Sequence, residues 1–177
     1  GYGGSCFPKD TAALLHTAQV AGYDFSLLQG VIEVNRAQHE RMIDKVRRLA
    51  GGSLEGVPIA VWGLTFKANT DDLRDSPAVF VVRRLLEEGA TVRCYDPSGD
   101  ERAARVVSGS ELVADPYEAV AGARVLALLT EWDEFRWFDF ARVREAMASP
   151  ALLDARNLLD PSTLRRLHFV YEGIGRS

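Results

Sequence analysis

Cysteine and histidine are scarce in this chain: two cysteines, Cys6 and Cys94, and three histidines, His16, His39 and His168, among 177 residues. The cysteines stand far apart and the histidines are scattered, so no metal-ligand spacing is present. A cysteine hydrolase needs a histidine base beside its nucleophile. His16 falls down the helix that follows Cys6 and cannot easily reach back to it, and the sequence places neither His39 nor His168. No apolar run approaches the roughly 20 residues of a membrane span, and no signal peptide is visible. Basic excess is missing too: the net charge is −4 and the pI about 5.4, which gives no electrostatic footprint for nucleic acid. There is no G-x-G-x-x-G, so a complete dinucleotide fingerprint is lacking. What remains is an ordinary globular composition, 47% apolar and 26% charged, in a length that suits one domain or one domain with a helical appendage. A reducing cytoplasm is the default compartment.

The first ten residues, Gly1-Tyr2-Gly3-Gly4-Ser5-Cys6-Phe7-Pro8-Lys9-Asp10, carry the strongest signal. Glycines let backbone approach a ligand closely, and Pro8 stiffens the turn. A helix starting near Asp10 or Thr11 aims its positive end back toward Cys6, and Lys9 adds a second positive charge; both favour a thiolate. The competing reading is a small buried hydrophobe.

The first 50 residues read as helices. Residues 11–20 are apolar on one face, with Gly22 as a stop. Ser26 suits the N-cap of a second helix reaching about Leu49. Leu28, Val31, Ile32, Met42, Ile43, Val46 and Leu49 recur at helical spacing along it. Its stripe is interrupted by Asn35, Gln38 and His39, as in a long helix that crosses a partner. From Val57 the pattern changes to strands at 58–62, 90–95, 123–129, 151–154 and 168–171, alternating with helices at 77–88, 100–107, 116–121 and 139–148. Such alternation predicts a parallel, doubly wound sheet. Cys94 falls on a strand and reads as core.

The connection from Trp62 to Ser76 is long for a strand-to-helix loop, and long loops at the carboxyl ends of parallel strands are where open sheets bind ligands. Lys67 and Arg74 supply cations there. Ser76 and Pro77 suit the cap and first residue of the next helix, whose free amides face an anion. A phosphate-bearing ligand fits, against the plainer reading of a solvated loop with surface ion pairs.

Gly1–Asp10 closely resembles the active-site segment of the UDP-glucose/GDP-mannose dehydrogenase family. Val61–Ala78 looks like that family's second signature, and Cys94–Pro97, Leu129–Trp132 and Asp154–Asn157 are similar to later landmarks in the same order. The resemblance implies an α/β fold: residues 1–52 as an active-site loop and helical dimerisation arm, then residues 53–177 as a doubly wound, mostly parallel, Rossmann-like domain that binds UDP. It also implies that an NAD-binding domain precedes this chain, which begins inside the motif and with Gly, so that the chain alone is inactive. By the same resemblance, Cys6 is the nucleophile of an NAD-dependent four-electron oxidation and Asp10 handles water. Lys9 and Arg74 approach the NAD, Gly3, Phe66 and Lys67 contact the nucleotide sugar, and Arg156 is a further nucleotide or phosphate contact. The helix near residues 26–49 makes a homodimer. Leu129–Phe135 looks more like the UDP-glucose branch; GDP-mannose and UDP-N-acetyl-hexosamine remain alternatives. So does a non-catalytic nucleotide-sugar-binding or dimerisation module.

Overall fold

The computed structural model describes residues 1–99 and 102–176. The chain opens with two helices, α1 (Phe7–Val20) and α2 (Ser26–Leu49), and then alternates. The strands are β1 (Pro58–Trp62), β2 (Thr91–Tyr95), β3 (Glu111–Leu112), β4 (Val125–Leu128), β5 (Ala151–Asp154) and β6 (Val170–Gly173). The helices between them are α3 (Pro77–Glu87), α4 (Arg102–Val106), α5 (Pro116–Val120), α6 (Phe140–Ala146) and α7 (Pro161–Arg166). The six strands form one sheet in the order β3-β2-β1-β4-β5-β6, and every pairing is parallel. This is the doubly wound arrangement, with the reversal of strand order between β1 and β4.

Both faces of the sheet are covered, which is why the central strands β1, β4 and β5 are buried almost throughout, while β2 and β6 alternate. Successive side chains of β4 point to opposite faces. Val125 and Ala127 join Ile43, Val46, Val61, Val82 and Leu85 in one core. Leu126 and Leu128 join Trp62, Phe135, Val143 and Leu164 in the other. Met42, Ile43, Val46 and Ala50 belong to the first core, so the C-terminal half of α2 is packed on the sheet. Lys45 and Arg48 reach from α2 to Glu172 on β6 at 2.8 and 3.0 Å. No helix among the described residues is long and apolar enough to cross a membrane.

Several boundaries differ from the sequence reading. Helix α1 begins at Phe7, not near Asp10, because Pro8 fits the first turn, where an amide is unpaired anyway; the Asp10 amide closes that turn onto the Cys6 carbonyl at 2.8 Å. Phe25, not Ser26, caps α2, its carbonyl accepting from the Gln29 amide at 3.1 Å. The helix expected at 100–107 is described from Arg102 onward, its first two positions lying outside the described residues. Strand β3, the 3-10 turn at Asp133–Trp137 and helix α7 were not foreseen, although Asp160-Pro161 is a cap-and-first-turn pair.

Candidate active site

Cys6 sits at the N-cap of α1 with its side chain exposed. Three contacts fix the segment that delivers it. The Asn35 side chain on α2 pairs with both backbone groups of Tyr2: its Oδ1 accepts from the Tyr2 amide at 2.7 Å and its Nδ2 donates to the Tyr2 carbonyl at 3.1 Å. The Gly4 amide donates to the Asp75 carbonyl at 3.2 Å, just before α3. Gly3 and Gly4 leave no room for a side chain. A Cβ on Gly3 would collide with the Asp75 carbonyl and Pro77, and one on Gly4, where φ is +88°, would come within 2.9 Å of the Phe66 ring. The glycines thus bring the backbone close to its own chain, at the loop after β1.

The interruption in α2 therefore faces inward. Asn35 holds Tyr2, and the His39 ring packs on Phe80 with centroids 5.4 Å apart. Burial, and the positive charge of Arg156, lower the His39 pKa from its ordinary value. Sequence spacing had shown these polar residues but not what they turn toward.

Around Cys6 the cations gather. Lys9 is raised above the usual lysine value by its hydrogen bond and ion pair with Asp10, with a smaller contribution from Cys6. Arg74 is raised chiefly by Asp72, which it meets at 2.7 Å, and again slightly by Cys6. Asp72 in turn is held down to about 2 by the side-chain and backbone bonds from Arg74. Lys67 is exposed and lies 5.4 Å from the Phe66 ring centroid. Arg156 reaches the same loop: its Nη2 donates to the Phe66 carbonyl at 3.3 Å, its Nε donates to the Leu129 carbonyl at 2.9 Å, and it pairs with Glu131. Two hollows flank the segment. One, of about 290 Å³, lies between α2 and the ends of β4 and β5, with His39, Leu129 and Arg156 on its walls. The other, of about 510 Å³, includes Tyr2, Pro8, Arg74 and Ser76. Of the residues singled out from sequence, Arg156 contacts Phe66 in the loop after β1 and Gly3 packs on the start of α3, while Cys6, Lys9, Asp10, Lys67 and Arg74 are exposed. Cys94 is different in kind: burial pushes its thiol up to about 12, so it is inert. No group of three or more metal-binding side chains is present among the described residues.

Residues 60–161, more than half of the chain, match the UDP-binding domain of the UDP-glucose/GDP-mannose dehydrogenase family, and residues 1–37 match its central domain. The chain belongs to this family. It is 48% identical over 176 residues to the UDP-glucose 6-dehydrogenase of Rhizobium meliloti, covering 99% of this chain and 40% of that enzyme. It is 38% identical to UDP-glucose 6-dehydrogenase TuaD of Bacillus subtilis, covering 99% and 38%. Among solved structures it resembles a UDP-glucose dehydrogenase from Pyrobaculum islandicum, with TM-score 0.83 and 30% identity over 100% of this chain and 38% of that one. A GDP-mannose dehydrogenase from Pseudomonas aeruginosa, solved as a ternary complex, gives TM-score 0.71 and 26% identity over 99% and 40%. The chain spans about 40% of the length of the curated relatives it matches.

Proposed function

We infer that this chain is the nucleophile-bearing, UDP-sugar-binding part of an NAD-dependent nucleotide-sugar 6-dehydrogenase, acting in the cytoplasm on UDP-glucose to give UDP-glucuronate. The observation that carries this reading is an exposed thiol at the start of α1, two residues after a glycine that lies against Phe66 of the loop that also carries Lys67. The family match assigns that loop's domain to UDP.

The residues present fit NAD at its periphery. Arg74 and Lys9 are exposed cations beside Cys6, while the sheet's own first loop carries no glycine-rich fingerprint. NAD, when bound, accepts the hydride in each of the two oxidations. Cys6 takes up the C6 aldehyde as a thiohemiacetal, a covalent hold that keeps it in the site. Oxidation of that adduct gives a thioester on Cys6. Asp10 orients the water that hydrolyses it, releasing carboxylate and thiol. Lys67, with Phe66 beside it, meets the nucleotide sugar, Gly3 meets it through its backbone, and Arg156, which braces the loop at the Phe66 carbonyl, meets the nucleotide. The exposed apolar half of α2 supports a homodimer.

Two measurements test this. In calorimetric titration the chain binds UDP-glucose and not GDP-mannose; equal binding of both would remove the sugar-nucleotide assignment. In the intact enzyme, Cys6→Ser abolishes release of UDP-glucuronate; normal output would remove Cys6 from the nucleophile's role.

A further inference from the structure

In a doubly wound sheet that binds a dinucleotide, amides of the loop after β1 go to the pyrophosphate and an acid at the end of β2 takes the ribose hydroxyls. Asp96 occupies that second position, directly after β2. Its carboxylate is turned inward. Oδ2 accepts from the amides of Leu64 and Thr65 at 2.5 and 3.2 Å, and Oδ1 accepts from the Ser98 amide at 2.9 Å. Asp96 is only 7% exposed, and Leu64 and Thr65 are fully buried. A carboxylate is costly to bury unless its lone pairs are filled. Here the acid and the loop amides satisfy each other, so neither is offered to a ligand.

The rest of the loop is held in the same way. The Leu64 carbonyl accepts from Ser76 Oγ at 2.6 Å, and the Thr65 carbonyl accepts from Thr130 Oγ1 at 2.6 Å. The Phe66 amide donates to the Asp72 carbonyl, and the Phe66 carbonyl accepts from Arg156. Side chains from the ends of β2, β4 and β5 and from the start of α3 therefore pin three consecutive residues, immediately before Lys67. Phe66 then meets Gly4 of the Cys6 segment.

We propose that Asp96 is a positioning residue: it fixes the loop after β1 so that Lys67 meets the UDP-sugar and Phe66 supports the Cys6 segment. The proposal rests on the reading that Lys67 binds the nucleotide sugar.

The test is a double-mutant cycle on the 177-residue chain, read by UDP affinity. Asp96→Asn weakens UDP binding about fivefold in the native background and by less than about twofold when Lys67→Met is already present, since a residue acting through Lys67 loses its effect without it. Asp160→Ala, which uncaps the distant α7, serves as the stability control and leaves affinity unchanged. Loss of affinity by the same factor in both backgrounds, or no loss, overturns the proposal. Should Asp96→Asn fail to fold, Thr130→Val removes one clamp with little change of shape and is read through the same cycle. If the native chain binds no UDP, the UDP reading itself fails, and the rate of Cys6 alkylation by iodoacetamide decides for Asp96. A rate that differs at least about threefold between Asp96→Asn and native chain sustains the part of the proposal in which the loop supports the Cys6 segment, and equal rates overturn it.

Discussion

Ser76 does two jobs with one hydroxyl. Its Oγ accepts from the Ala78 amide at 3.2 Å, capping α3, and donates to the Leu64 carbonyl at 2.6 Å, closing the loop after β1. The residue is 4% exposed, so water cannot replace either bond. Removing the hydroxyl loses a helix cap and strands a buried carbonyl; the two together cost about 2 kcal/mol. Ser76→Ala therefore lowers the denaturation midpoint in urea with an unchanged slope, and a loss under about 0.5 kcal/mol would show that the loop reorganises to re-pair the carbonyl. The cap itself was legible in the sequence, because serine followed by proline before an apolar run is a helix start. The bond to Leu64 was not, since nothing local links positions so far apart in the chain. Asn35 shows the same limit: its polarity stood out against an apolar stripe, while its partner, the Tyr2 backbone, is defined only once α2 folds back on the segment before α1.

Helix α2 is two helices in function. Its C-terminal half buries Met42, Ile43 and Val46, and Lys45 and Arg48 fasten it to Glu172 on the edge strand β6. Partial burial would raise the Glu172 carboxyl, but the bonds from Lys45 and Arg48 outweigh it and hold the group below its ordinary 4.5. A carboxyl lowered in the folded state stabilises that state above its unfolded value and ceases to do so as the pH falls through the folded value. Glu172→Gln therefore unfolds about 3 °C earlier than the native chain at pH 7, and the gap closes as the pH drops below 4.5. A gap that persisted once the carboxyl is protonated in both the folded and unfolded chain would mean the loss comes from packing and not from the ion pairs. Elements of this kind read well from sequence when an apolar run is bounded by clear turn or cap residues: β1, β5 and α3 fall within a residue of expectation. The two-residue β3 and the 3-10 turn at Asp133–Trp137 do not, because the first has too few residues for a period and the second is held by Phe135 and Phe138 against Trp62, a tertiary contact.

At the scale of the molecule, one face of the N-terminal half of α2 is left uncovered. Leu27 is 76% exposed and Val34 63%, on the helix whose other half buries Met42, Ile43 and Val46. A groove between this face and the chain start is lined by Leu27, Val31, Val34 and Asn35 of α2 and by Tyr2. Exposed apolar residues in one continuous stripe mark a surface that another surface covers. A second copy of the chain is the occupant proposed above, and it would seat itself beside the residues that hold the Cys6 segment. Sedimentation equilibrium then shows a dimer at about 100 µM that dissociates on dilution. Val34→Glu shifts the chain to monomer with little change in unfolding midpoint, because so exposed a side chain contributes little to its own fold. A native chain that is monomeric at that concentration would remove the dimer. Equal self-association in Val34→Glu would place the contact elsewhere, away from Asn35 and the thiol.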